Sequence, residues 1–234
     1  MKTKMVLSVL LFFSLFASAQ ADWVHSERFA AKNKQIVKPV TAVFMGNSIT
    51  ENWFKMDSAF FQTNNFQGRG IGGQTTSHML IRFRPDVINL KPKAVVILAG
   101  TNDIAQNMGY FSHENIMNNL ISMCELAKAN NIKVFLCAIM PASKYPWKPA
   151  ITDAAVQIKK VNEMIKAYCA KGGATFVDFY TPFVDEVGGL PKTFAGDGVH
   201  PNLNCYKIME EIVMKNLSPL STQPTQIKAA AVKK

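Results

Sequence analysis

No C-x-x-C pair occurs in this 234-residue chain, and its four cysteines, Cys124, Cys137, Cys169 and Cys205, each lie inside an apolar segment. That placement argues against a disulfide framework or a zinc ribbon and for free thiols used as small core residues. Beyond residue 16 there is no apolar run long enough to span a bilayer. There is no basic stripe with interleaved aromatics, so nucleic acid is not an expected partner. Internal repeats, low-complexity linkers and signs of a second domain are also missing. So is an apolar lid or long amphipathic insertion of the kind that suits a lipase acting on aggregated fat. With 48% hydrophobic residues, the chain is neither disordered nor membrane-filling.

The two ends differ from the middle. Lys2 and Lys4 precede an apolar run from Met5 to Phe16, and Ala17-Ser18-Ala19 supplies an A-x-A cleavage pattern. This predicts a signal peptide over residues 1–21 and an exported protein, periplasmic or secreted. The lack of a cysteine near the cleavage site argues against a lipid anchor. The formal charge is +10, and +8 once Lys2 and Lys4 are removed. Part of the excess lies in "TQIKAAAVKK", so residues 218–234 read as a flexible basic tail. Solubility is the plain use of that charge; attraction to acidic polymers is the sharper one. A single domain over 22–217 remains, with residues 22–39 expected to wrap the outside before the first strand.

Within that domain strand-like and helix-like runs alternate. "VTAVFMG" (40–46), "FQGRGI" (66–71), "KAVVILAG" (93–100), "KVFLCAIM" (133–140) and "ATFVDF" (174–179) read as strands, the third apolar on both faces. Ile116, Leu120, Met123 and Ala127 recur at helical steps behind a Ser112 cap, and Ile158, Val161, Ile165 and Tyr168 do so behind Asp153. Pro201 is expected to open a last helix. Such alternation predicts an α/β fold in three layers, α/β/α, around a five-stranded parallel sheet. Ligands of such sheets bind beyond the carboxyl ends of the strands.

Three polar segments follow strands at that edge: "GNSIT" after the first, "GIGGQTT" after the second and "AGTND" after the third. A fourth, "GDGVHPN" (196–202), precedes the last helix. Ser48 has two readings. In one, Ser48-x-x-Glu51 is a capping box. In the other, Ser48 is a nucleophile, which needs a base and a carboxylate to orient that base. Asp197 and His200, three residues apart in one loop, can supply both. The Ser48 amide, the Gly73 amide and the Asn102 side chain can supply donors for an oxyanion. A rival reading starts from Gly68-Arg69-Gly70-Ile71-Gly72-Gly73, which fits the dinucleotide pattern G-x-G-x-x-G. It follows the second strand rather than the first and lacks the acidic residue about twenty positions on.

These four blocks, in this order, resemble the signature blocks of the SGNH hydrolases, also called the GDSL lipase/acylhydrolase family, over about Val40 to Leu217. The resemblance implies a flavodoxin-like fold and an ester hydrolase that needs no metal or organic cofactor. It implies Ser48 as nucleophile, His200 as base, Asp197 as its partner, and Ser48, Gly73 and Asn102 as the oxyanion hole. One position departs from the family pattern: Asn47 stands where the first block usually has aspartate.

The substrate is less legible. The loop after the third strand carries Tyr110 and Phe111, and "MPASKYPWKPA" (140–150) carries Tyr145 and Trp147. Exposed aromatics there can stack on sugar rings, so Tyr145 and Trp147 are candidate substrate-binding residues; closing the loop over the core is the plain alternative. The expectation is a small-molecule or glycan ester as substrate and a short acyl group, acetyl first, as what is removed. A lysophospholipase or a lipid esterase like the platelet-activating-factor acetylhydrolases is the alternative. A catalytically inactive glycan-binding relative and a nucleotide-binding protein are the other classes considered. Nothing in the sequence sets the oligomeric state.

Overall fold

Five short strands carry the fold: β1 (Ala42–Gly46), β2 (Phe66–Gly70), β3 (Ala94–Leu98), β4 (Lys133–Cys137) and β5 (Thr175–Val177). They pair in the order β2-β1-β3-β4-β5, every pair parallel. The computed structural model describes residues 24–218; the expected signal peptide, and all of the expected tail except Ser218, lie outside the described residues. The chain leaves β1 toward β2, then returns past β1 to β3, so its direction reverses beside the carboxyl end of β1. The ladder is shorter than the apolar runs suggest. Val40 and Ala138 to Met140 are buried just beyond the strand ends: the Val40 carbonyl accepts the Lys93 amide, the Ala138 amide donates to the Val177 carbonyl, and the Asn162 side chain takes both backbone groups of Ile139.

Around the sheet lie α1 (Ala30–Lys34), α2 (Ser48–Met56), α3 (Ser58–Thr63), α4 (Thr76–Asp86), α5 (Thr101–Ile104), α6 (His113–Ala129), α7 (Ala154–Ala170) and α8 (Leu203–Leu217). Alternate strand residues point to opposite faces. Val43, Met45, Val95, Ile97 and Leu136 pack with Met79, Phe83, Leu120 and Val161 of α4, α6 and α7. Phe44, Val96, Phe135 and Val177 pack with Trp53, Phe61 and Met209 of α2, α3 and α8. This is the three-layer α/β/α arrangement expected from the sequence. Both faces of the sheet are covered, which is why the central strands β1 and β3 are buried along their whole length. Among the described residues no helix is long and apolar enough to cross a membrane.

The Ser112 hydroxyl accepts the Asn115 amide at 3.2 Å and caps α6 as expected. Two expected helix starts differ. The last helix does not open at Pro201: it begins at Leu203, and Asn202 caps it by accepting the Cys205 amide at 3.1 Å. Asparagine is the stronger cap, and the proline falls one residue outside it. At α7 the Asp153 carboxylate takes the Gln157 side chain at 2.7 Å and no backbone amide.

All four cysteines are buried free thiols. Burial pushes Cys124 and Cys205 up to about 12 and Cys169 up to about 11. The folded protein should therefore resist alkylation, while alkylation in denaturant without reductant should add four groups by mass spectrometry. A mass short by two or four adducts would contradict this assignment.

Candidate active site

β1 ends at Gly46, and two residues later the chain is already helical. The cap of α2 is Asn47, not Ser48: Asn47 Oδ1 accepts the Ile49 amide at 3.0 Å. The capping box Ser48-x-x-Glu51 is thus not formed. With the cap satisfied one residue earlier, Ser48 becomes the first helical residue and its hydroxyl is spare. Glu51 is engaged away from the helix start, and its Oε2 accepts the Gly72 amide at 2.7 Å. Asn47 is fully enclosed and makes the bond that an aspartate would make, without the charge.

The spare hydroxyl meets the loop before α8. Ser48 Oγ lies 2.8 Å from His200 Nε2, and His200 Nδ1 lies 2.6 Å from Asp197 Oδ2. The tautomer with its proton on Nδ1 satisfies both contacts and leaves a lone pair facing the serine. The other Asp197 oxygen accepts the amides of Val199 at 2.9 Å and His200 at 2.8 Å, closing a turn around Gly198 at φ +77°. Burial by itself raises the Asp197 carboxyl, but these hydrogen bonds outweigh it and hold the group below the ordinary carboxylate range. The loop is held to α2 from behind. The Tyr206 hydroxyl donates to the Ile49 carbonyl at 2.8 Å, and Trp53 Nε1 donates to Glu210 Oε1 at 3.1 Å.

The second and third segments come together beside Ser48. A Cβ placed on Gly72 would stand 3.8 Å from the Ser48 Cβ. Gly73 has φ +76°, a left-handed conformation that favours glycine. Asn102 Nδ2 donates to the Gln74 carbonyl at 2.9 Å, and its second N–H stays available. Thr76, at the start of α4, gives its amide (3.0 Å) and hydroxyl (2.5 Å) to the Asp103 carboxylate, which locks the two loops together. The glycine-rich stretch serves close packing rather than a nucleotide: a Cβ on Gly70 would collide with the Glu51 backbone nitrogen.

Arg82 went unrecognised in the sequence. Its guanidinium is fully buried and donates to the carbonyls of Gly46 (3.0 Å) and Arg69 (2.9 Å), to Gln74 Oε1 (2.6 Å) and to Asp86 (2.9 Å). The signal that was available is an Arg–Asp pair at i, i+4 on the same side of α4 as Met79 and Phe83.

Of the two aromatics expected near the site, only Trp147 is open. It is 39% exposed, its ring centroid is 5.9 Å from that of His200, and its indole N–H donates to Asn107 Oδ1 at 3.0 Å. Asn107 in turn reaches the Gly73 carbonyl at 3.3 Å. Tyr145 is 1% exposed and lies against Trp147 at 5.3 Å, so its ring belongs to the core and offers no face to a sugar. Tyr110 is exposed and Phe111 packs on the core.

Burial also pushes the Asp103 carboxyl up to about 6, against the hydrogen bonds from Thr76. Its ordinary value is 3.8, so between about pH 4 and 6 the folded protein binds more protons than the unfolded chain. The stability this group contributes is present below that window and lost as the pH rises through it. Asp103→Asn should flatten the change in denaturation midpoint across that interval. An unchanged pH slope would show that Asp103 titrates normally.

Comparison with known proteins agrees with this geometry. Residues 44–208 match the GDSL-like Lipase/Acylhydrolase family. The crystal structure of a GDSL-like lipase from Bacteroides thetaiotaomicron superposes with a TM-score of 0.82 at 43% identity, covering 85% of this chain and 99% of that one. Esterase TesA of Pseudomonas aeruginosa is 25% identical over 199 residues, 83% of this chain and 92% of that protein. Human platelet-activating factor acetylhydrolase IB subunit alpha2 is 23% identical over 218 residues, 85% of this chain and 89% of that protein.

Proposed function

Because the chain belongs to the GDSL-like lipase/acylhydrolase family and is a carboxylic ester hydrolase, we propose that it removes short acyl groups, acetyl first, from a carbohydrate alcohol. The observation that carries the reading is the run of two contacts from Asp197 through His200 to Ser48, 2.6 and 2.8 Å. In this mechanism Ser48 Oγ attacks the ester carbonyl carbon while His200 Nε2 takes its proton. The Asp197 carboxylate holds the imidazole and favours its charged form. The carbonyl electron pair moves onto oxygen, where the amides of Ser48 and Gly73 and the free N–H of Asn102 receive it. Collapse of this intermediate breaks the bond to the alcohol oxygen, which leaves with the proton from His200. A water then repeats the sequence on the acyl-serine and frees the acid.

Two features support the choice of acyl group and alcohol. The human relative's name specifies an acetyl group. Trp147, beside the His200 ring and tied to Asn107, offers a partly exposed aromatic face to an alcohol part that is itself a ring. The second reading, a lysophospholipid or related lipid ester, rests on the same human relative. We also infer export with removal of residues 1–21, from the charged, apolar and A-x-A stretches in sequence.

Ser48→Ala should abolish hydrolysis of 4-nitrophenyl acetate while circular dichroism and melting stay those of the parent, and an organophosphonate should modify the parent at Ser48. Near-normal turnover in the variant would remove the serine from the mechanism.

Activity on 4-nitrophenyl esters should fall from acetyl to decanoyl; a steady rise would favour the lipid reading. Trp147→Ala should lower kcat/KM for acetylated oligosaccharides about tenfold more than for 4-nitrophenyl acetate, the scale of one aromatic stacking interaction. Equal losses on both would make the tryptophan a support for His200 and Gly73 rather than a sugar platform.

A further inference from the structure

On the far side of Glu51 from Ser48 lies a cleft of about 240 Å³, open at the β2 edge of the sheet. Arg28, Lys32, Lys55 and Arg69 line it, with Glu51 as the one carboxylate and Phe54 on the wall. Glu51 Oε1 is shared by Arg28 at 2.6 Å and Lys55 at 2.9 Å. That leaves two of the four cations without a carboxylate in contact. Lys32 makes no ion pair among the described residues.

Arg69 is the more telling. It is 2% exposed, and all its guanidinium hydrogen bonds go to neutral oxygens: Asn33 Oδ1 at 2.6 and 3.1 Å, the Gly68 carbonyl at 2.9 Å and Gln67 Oε1 at 3.4 Å. Its central carbon sits 4.8 Å from the Phe29 ring centroid. Asn33 Nδ2 donates to Asp86 Oδ1 at 2.8 Å, so the nearest carboxylate stands one amide away from Arg69 and is already paired with Arg82. A buried cation held only by neutral groups is costly unless something else compensates it. Burial lowers its pKa to about 10, in keeping with that cost.

We propose that this cleft is an anion-binding subsite that takes a single carboxylate or phosphate group carried on a sugar-sized unit. Contacts to such an oxyanion come from the exposed Arg28, Lys32 and Lys55 side chains, while the enclosed Arg69, its N–H groups already bonded, adds only its charge. The volume admits one such unit and not a chain. Its place gives it a use. Glu51 forms one wall of the cleft and also accepts the Gly72 amide, and Gly72 stands beside Ser48. An acidic unit bound here therefore belongs to the same substrate whose ester reaches Ser48. This use rests on the functional reading above; binding itself does not.

Calorimetric titration at constant ionic strength tests this, with sodium glucuronate and inorganic phosphate as probes and galactose as the uncharged control. Saturable binding of glucuronate, phosphate or both is expected, and which one binds identifies the oxyanion. Lys32→Glu should weaken it at least about tenfold, the scale of replacing one charge-assisted hydrogen bond by a like-charge repulsion. Lys32 is exposed on α1, and Lys32→Ala reads the same weakening in smaller measure if charge reversal disturbs that short helix. Ser48→Ala should bind as the parent does. Absence of saturable binding, parental affinity in both Lys32 variants, or equal binding of galactose overturns the proposal. If esters are cleaved and no anion binds, this inference alone fails. If an anion binds and no ester is cleaved, the functional reading alone fails.

Discussion

The Arg82 guanidinium ties the paired ends of β1 and β2 to the loop that follows them. Its donors take the last carbonyl of β1, a carbonyl near the end of β2, and the side chain of Gln74 in the loop that follows. The Gly46 carbonyl also accepts the Ile71 amide at 3.2 Å, so the guanidinium joins a strand end that is already in register. A buried cation fits there only because Asp86, one turn away on α4, neutralises it. Removing one member of such a pair typically costs about 3–5 kcal/mol, since the other is left charged and dry. Gln74 passes the constraint on, because its carbonyl holds the Asn102 amide. The Ser48 turn, the Gly73 loop and Asn102 are thus positioned from one point beneath them.

A second constraint acts on the opposite face. α8 is fixed to α2 by Tyr206 on the Ile49 carbonyl and by Trp53 on Glu210, with the Trp53 and Tyr206 rings stacked at 5.5 Å. The His200 loop is therefore registered against the very helix that begins with Ser48. The Asp103 carboxylate of α5, which accepts the Thr76 amide at the start of α4, closes the arrangement by joining the second loop to the third.

The four polar blocks were legible in the sequence because each is a run of neighbours at the end of an element, and parallel topology sends those ends to one edge. The layers were legible for a related reason: burial on both faces leaves the central strands apolar, and burial on one face gives helices one apolar side. What escaped is what depends on distant partners. Glu51 looks like half of a capping box until Gly72, 21 residues on, is seen to take its carboxylate. Arg82 looks like an ordinary polar residue of a helix until the strand ends above it are in place. Asn47 and Asn202 each take a cap expected one residue later or earlier, because asparagine competes better for a free amide than the serine or proline beside it. Tyr145 is two residues from Trp147 and has the opposite exposure, which composition cannot distinguish.

Ser48 and His200 are 152 residues apart in the chain, and the helix that registers the histidine is the last element among the described residues. A growing or partly threaded polypeptide carries the hydroxyl long before it carries the imidazole. Every form that stops short of His200 carries Ser48 without this partner. The order in which the chain is made therefore acts as a built-in delay: the two side chains meet only after synthesis and docking of α8.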